Sequence, residues 1–153
     1  MIMMGRFLLM FGLFAGVLLF GSRLVSAGDP VIVFERAYTY PTSPKQKNGA
    51  AFLQVTNTGE ADVRIVRAET DVAERVELHT HSMDGGIMMM REIEGYDVPA
   101  GGVLVLEPTG HHIMLLDLKA PLVEGESFEL ILHDEDGAQY HVEVTSSFES
   151  PAS

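Results

Sequence analysis

The strongest constraint on the fold is a series of short apolar or alternating runs, each ended by residues that favour turns. Among these turn segments are Asn57-Thr58-Gly59, Pro99-Ala100-Gly101-Gly102 and Asp134-Glu135-Asp136-Gly137,. No long stretch shows the period of an amphipathic helix. Many short strands at regular spacing predict an all-β fold, an antiparallel sandwich or barrel. The predicted strands are 32–40, 51–56, 64–69, 75–82, 86–93, 103–107, 112–118, 127–132 and 140–145.

Residues 1–27 have the composition of a secretory signal peptide. Arg6 precedes an apolar run that is short for a membrane span, and Val25 and Ala27 have the small side chains that signal peptidase accepts,. We expect cleavage after Ala27 and a periplasmic location; the alternative is an uncleaved membrane anchor. A lipid anchor is not expected because the sequence contains no cysteine,. A single domain at 28–147 and a flexible C-terminal tail at 148–153 should remain.

Acidic residues dominate the part that would remain after cleavage. Arg6 and Arg23 lie in the leader, so 8 basic residues face 22 acidic ones and the formal net charge is −14. Such a surface repels nucleic acid and anionic membranes, and neither is an expected partner. It favours a cation or a basic protein. We expect a monomer that does not insert into the membrane.

Histidine and methionine are concentrated in one segment of the chain. The five methionines beyond the leader lie at 83–114, and four of the six histidines lie at 79–112. Thioether sulfur is a soft ligand that suits Cu(I), and imidazole also binds copper well. The composition is therefore typical of a soft-metal site.

The Asp84-Gly85 pair predicts a two-residue hairpin turn, because such a turn needs positive φ at its central residues. Closure there would place His79 opposite Met90 and His81 opposite Met88. Side chains alternate along a strand, so one face of the hairpin should carry several soft ligands. The residues expected on this face are His79, His81, Met83, Met88 and Met90.

A second pair with the same period, His112 and Met114, should project to one side of a later strand,. His111 should point to the opposite side, as Met89 should in the hairpin. If this strand lies beside the hairpin, two imidazoles and two thioethers form one neutral site. The predicted metal ligands are His79, Met90, His112 and Met114.

These positions resemble the metal-binding motif of the PCuAC family of periplasmic copper chaperones. The spacing of ten residues from His79 to Met90, twenty-one to His112 and one to Met114 matches that motif. The likeness extends over about residues 31–145. Similar flanking segments include Ala50-Ala51-Phe52, Val98-Pro99-Ala100-Gly101-Gly102 and His112-Ile113-Met114-Leu115.

The resemblance implies a cupredoxin-like β-sandwich that binds one Cu(I) per chain through the four matched ligands. It also implies delivery to an exported copper-accepting protein, either the copper subunit of a terminal oxidase, with its binuclear copper centre, or an assembly thiol protein. The possible outer or transfer ligands are His81, Met83 and Met88. The chain departs from the family at His111, where an aromatic residue is usual, and at Leu116-Asp117, where Met-Gly is common.

Three other functions are less consistent with the sequence. An electron-transfer cupredoxin needs a cysteine thiolate, which is missing,. An enzyme is not expected because no nucleophile elbow or carboxylate pair can be recognised, and four protein ligands leave no open position on the metal. A metal-free interaction or adhesion module of the cell envelope remains the alternative, and it would be indifferent to copper.

Overall fold

The structure, a computed structural model, describes residues 32–151, which form ten β-strands. This confirms the predicted all-β class. In chain order the strands are β1 Ile32–Thr39, β2 Gly49–Asn57, β3 Val63–Glu69, β4 Ala73–Asp84, β5 Ile87–Glu92, β6 Tyr96–Val98, β7 Val103–Leu106, β8 His112–Leu118, β9 Ser127–Asp134 and β10 Gln139–Ser146. Within residues 32–151, no helix is long and apolar enough to cross a membrane. The predicted signal peptide and its cleavage site lie outside the described residues.

The strands follow the order β5-β4-β8-β2-β1-β10-β9-β3-β6, and β7 pairs with β2. The pairings within 32–151 are antiparallel except that of β1 with β10, which is parallel. β1 pairs with β2 on one side and with β10 on the other. Its register against β2 shifts between Glu35 and Tyr38, where Arg36 has φ 52°. Such a bulge is typical of a strand that bends, and the bent strand β1 joins the two halves of a sandwich,.

The core lies between these two halves. Leu53, Ile113 and Leu115 face inward from one half, and Ile65 and Leu130 from the other, each with at most 2% of its surface exposed. Burial of one such side chain contributes roughly 1.5–3 kcal/mol. Side chains alternate along a strand, and Ile113 and Leu115 on β8 point into the core. Their neighbours His112 and Met114 therefore point to the other face of the sheet,.

The β4–β5 hairpin turns one residue later than the sequence predicts, at Gly85-Gly86 and not at Asp84-Gly85, which shifts each cross-strand partner by two residues. Asp84 pairs with Ile87, so the central turn residues are Gly85 and Gly86, with φ 58° and 83°. Both conformations suit glycine better than aspartate, and Asp84 stays in the strand, where it forms an ion pair with Arg91 at 3.0 Å,.

The predicted pairings of His79 with Met90 and His81 with Met88 are therefore wrong. The observed partner of His79 is Glu92, that of His81 is Met90, and Met88 lies opposite Met83. A shift of two residues leaves every side chain on its predicted face, because the side-chain period of a strand is also two.

The sequence pattern does not predict β6, which lies between the predicted strands 86–93 and 103–107. Its three residues are too few to show alternation, although Tyr96 and Val98 are buried and Asp97 between them is exposed. β6 pairs with β3, with Tyr96 opposite Ile65. A Cβ at Gly95 would lie 2.7 Å from Ile65 O, so the missing side chain allows this close approach.

Candidate metal centre

Two neighbouring strands, β4 and β8, carry part of the predicted ligand set on one face. His112 on β8 lies opposite His79 on β4, and Met114 lies opposite Glu77 two positions further along β8. Directly opposite residues of an antiparallel pair have Cβ atoms about 5 Å apart. The structure therefore brings the two predicted histidines together, with Met114 as the diagonal neighbour of His79.

The third strand, β5, adds methionines to the same face. Met90 lies opposite His81, which makes Met90 a diagonal neighbour of His79. Diagonal neighbours have Cα atoms about 7–8 Å apart, still within reach of long side chains. Met88 lies opposite Met83, two positions closer to the turn on the same face. The predicted ligands and the predicted transfer ligands thus occupy one continuous face of β5, β4 and β8.

Three imidazole rings cluster on this face. The ring centroids of His79 and His112 are 5.7 Å apart, and those of His81 and His112 are 5.0 Å apart. His112 is the central ring and is only 2% exposed. His81, expected as an outer ligand, is therefore at least as close to His112 as His79 is.

Hydrogen bonds determine which nitrogen of His112 is free. Its Nδ1 lies 3.0 Å from the carbonyl oxygen of Gly110, which can only accept, so Nδ1 carries the hydrogen,. The lone pair is then on Nε2, which is buried and has no partner within residues 32–151. Buried polar atoms are nearly always paired, so an unpaired nitrogen here suits a ligand.

His79 has the complementary arrangement. Its Nε2 lies 2.9 Å from a carboxylate oxygen of Glu77 and donates to it, which leaves Nδ1 buried and without a partner in the described part of the chain,. Metal-binding histidines commonly have one nitrogen on the metal and the other donating to a carboxylate or backbone carbonyl. His79 and His112 each have one nitrogen in such a hydrogen bond and the other without a partner in the described part of the chain.

Burial also keeps His112 able to bind a metal. Desolvation is the main cause that lowers the pKa of His112, and positive charge on His81, His79 or His111 would lower it further, whereas the Gly110 carbonyl acts in the opposite direction. A protonated imidazole cannot bind a metal. The lowered pKa therefore preserves the lone pair of this ring at neutral pH.

The two predicted thioether ligands have different surroundings. Met114 is half-buried opposite Ala50 on β2, in a small groove that also includes Tyr40 and Thr42. Met90 is 48% exposed on the projecting β4–β5 hairpin. One thioether is therefore held by the sandwich, and the other is accessible to an approaching molecule.

Across residues 32–151, no group of three or more His, Cys, Asp or Glu side chains has the arrangement of a metal site. That finding concerns these four residue types and does not include methionine. The thioethers of Met90 and Met114 lie on the same face of the sheet as His79 and His112.

Sequence reasoning missed three residues that orient the histidines. Glu77 and Gly110 each stand two positions before the histidine that they contact, and this spacing is a local signal in the sequence. Tyr96 is different, because its hydroxyl bonds to the backbones of His79 and His112 from a distant strand. No local signal indicates that contact.

A protein-family model described as "Putative lipoprotein LpqE-like" matches residues 32–146. The match covers most of the chain and includes every predicted ligand. The chain belongs to this LpqE-like family, which is of the PCuAC type. This confirms the PCuAC family predicted from the ligand spacing.

One relative of this PCuAC-type chain is "Putative lipoprotein Lxx21020" from Leifsonia xyli subsp. xyli. It is 40% identical over 96 residues, which cover 62% of this chain and 58% of the relative. The chain thus spans less than two thirds of that relative.

Solved structures share the fold. The Cu(I) form of DR1885 from Deinococcus radiodurans, a solution structure, is 31% identical with a TM-score of 0.62, over 75% of this chain and 76% of that one. The copper-bound PCuAC domain from PmoF2 has a TM-score of 0.64 at 15% identity, over 76% of this chain and 92% of that domain. These similarities confirm the cupredoxin-like fold.

The two departures from the PCuAC pattern have local explanations. Asp117, where glycine is common, has φ 54°, a left-handed conformation that glycine adopts freely and aspartate tolerates better than most residues,. His111 lies on the inner side of β8 and makes an edge contact with the ring of Tyr96, at a centroid distance of 5.2 Å. Neither residue belongs to the face that carries the predicted ligands.

Proposed function

We propose that this chain is an exported copper carrier that binds one Cu(I) through His79, Met90, His112 and Met114. The observation that carries the proposal is the pair of buried, unpartnered nitrogens, His79 Nδ1 and His112 Nε2, on neighbouring strands beside thioethers. The similarity to a Cu(I)-bound solution structure at 31% identity supports it.

The ligand types select the metal. Two thioethers and two neutral imidazoles provide soft or borderline donors and no formal charge. Zn(II) gains little from thioethers, whereas Cu(I) binds them well. A blue-copper electron-transfer centre would need a thiolate, and the sequence has no cysteine,. Copper is therefore a cargo in this proposal and not a catalytic cofactor.

Release would proceed along the β4–β5 hairpin. His81 and Met90 form one cross-strand pair, and Met83 and Met88 form the next pair on the same face towards the turn. Met83 and Met88 are 65% and 57% exposed. We propose that three outer ligands, His81, Met83 and Met88, bind copper one after another as the four inner ligands dissociate from it.

The acceptor would be another exported protein. A thiolate is a stronger donor for Cu(I) than a thioether, so transfer to a thiolate-containing site is favourable. The copper subunit of a terminal oxidase and an assembly thiol protein both offer such a site. A formal net charge of −14 on the proposed mature chain favours a partner with a basic surface,. Cleavage after Ala27 would release the carrier into the periplasm.

The test is a competitive Cu(I) titration of the purified chain against bathocuproine under anaerobic conditions. We expect one tightly bound copper, and loss of that binding in His112→Ala. His141→Ala is the matched control, because His141 is an exposed histidine on β10 that contacts Glu129 and lies outside the ligand face. A wild-type chain that leaves all the copper with the chelator would indicate the metal-free interaction module instead.

A further inference from the structure

The hydroxyl group of Tyr96 lies at the point where the two predicted histidine ligands meet. It accepts a hydrogen bond from the His79 backbone N–H at 3.1 Å, and its oxygen is 2.5 Å from the His112 carbonyl and 3.0 Å from the His79 carbonyl. A hydroxyl has one hydrogen, so it donates to one carbonyl at a time, and the shorter distance favours His112. The tyrosine thus links β4 to β8 at the His79–His112 pair.

Tyr96 reaches this point from the other half of the sandwich. It lies on β6, which pairs with β3, and only 3% of its surface is exposed. The side chains of His79 and His112 occupy the outer face of β4 and β8. The hydroxyl therefore holds the backbones of both histidines from the inner side.

The position of a backbone determines where its side chain can reach. The two rings are 5.7 Å apart and present one free nitrogen each, so a small change in strand spacing alters the distance between those nitrogens. Ligand positions must be held to within about 0.5 Å for a productive site. A rigid buried hydroxyl at this pair is well placed to provide that precision.

We propose that Tyr96 is a positioning residue for the copper site, which sets the spacing of His79 and His112 through its hydroxyl bridge. The inference rests on the proposed copper function. It assigns a role to a residue outside the four-ligand motif.

The experiment compares two tyrosine-to-phenylalanine variants in the full chain. Tyr96→Phe removes the bridge and keeps the buried ring. Tyr140→Phe is the matched control, because the Tyr140 hydroxyl donates to Asp134 at 2.8 Å on β9 and β10, away from the ligand face. Each variant is titrated with Cu(I) against bathocuproine, and its folding is checked by thermal melting.

We expect the Cu(I) dissociation constant of Tyr96→Phe to rise by roughly 10- to 100-fold, the range found when a group that orients metal ligands is removed. Tyr140→Phe should keep the wild-type constant even where its melting temperature falls. A folded Tyr96→Phe with wild-type affinity would overturn the inference while leaving the copper function intact. Failure of the wild-type chain to bind Cu(I) would overturn the copper function itself.

A second measurement needs no variant. In the metal-free wild-type chain, the bridge should protect the backbone amide of His79 from hydrogen exchange, because its partner is a buried hydroxyl,. Protection of this amide supports the bridge where Tyr96→Phe does not fold. Exchange of His79 as fast as that of an exposed loop amide would refute it.

Discussion

Two adjacent methionines on β5 offer a sharp test of the register and of the ligand set. Met89 and Met90 are 44% and 48% exposed, but Met90 lies opposite His81 on the ligand face and Met89 lies opposite Ser82 on the other face. They are the same residue type with nearly the same exposure. Met89→Ala is therefore a matched control for Met90→Ala.

The expected magnitudes follow from these positions. Met90→Ala removes a thioether and should weaken Cu(I) binding at least about tenfold, or roughly 1.4 kcal/mol. Met89→Ala should leave the affinity unchanged. Because both side chains are about half exposed, each substitution should change the free energy of unfolding by no more than roughly 0.5 kcal/mol. For a domain of this size that corresponds to a melting shift of about 2 °C.

The assay is a competitive Cu(I) titration of both variants, with thermal melts of their metal-free forms. Met114→Ala should lose affinity as Met90→Ala does, and more stability, because Met114 is half-buried beside Ala50,. Met88→Ala should slow transfer to a chelator more than it weakens binding. If Met89→Ala loses copper while Met90→Ala keeps it, the face assignment and the four-ligand set are both wrong.

Three further predictions concern stability and pH. Asp117→Gly should raise the free energy of unfolding, measured in urea, by up to about 1 kcal/mol, because glycine adopts the left-handed conformation freely,. An Asp117→Ala variant as stable as Asp117→Gly would argue against this. The His133 hydrogen bond lowers the pKa of Glu69, so the ionised carboxylate stabilises the fold above its unfolded pKa, and this stability is lost as the pH falls through the folded pKa,. The wild-type chain should therefore lose more stability on acidification than Glu69→Gln. Parallel profiles of melting temperature against pH would contradict this. Cu(I) affinity should fall in acid as the imidazoles become protonated. The lowered pKa of His112 means that this ring is protonated only at a lower pH than an ordinary histidine. A constant affinity from neutral pH to about pH 5 would argue against histidine ligands.

The fold class could be predicted because turn residues and alternation are local properties of the sequence. The exact hairpin register could not be predicted, because Asp84-Gly85 and Gly85-Gly86 are both acceptable turn pairs. The protein uses Gly85-Gly86 and keeps Asp84 in the strand, where it forms an ion pair with Arg91. The wrong register did not alter which residues share a face, because it shifts each cross-strand partner by two residues, an even number,.

The supporting residues of the site were harder to foresee. β6 is too short to show a period, and the bridge from Tyr96 joins residues that are 16 and 17 positions away in sequence. Glu77 is two residues from His79 on the same strand, so its spacing is a local signal of the contact. The Tyr96 bridge depends on the three-dimensional arrangement of β4, β6 and β8, whereas the ligand spacing can be read from the sequence directly.

The measurement that tests the central claim most directly is copper-edge X-ray absorption of the chain loaded with one equivalent of Cu(I). We predict a Cu(I) edge and a first coordination shell of two nitrogen and two sulfur scatterers, from His79, His112, Met90 and Met114. In Met90→Ala one sulfur scatterer should be lost, and in Met89→Ala both should remain. A shell of nitrogen and oxygen only, or one that is unchanged in Met90→Ala, would contradict the proposed site.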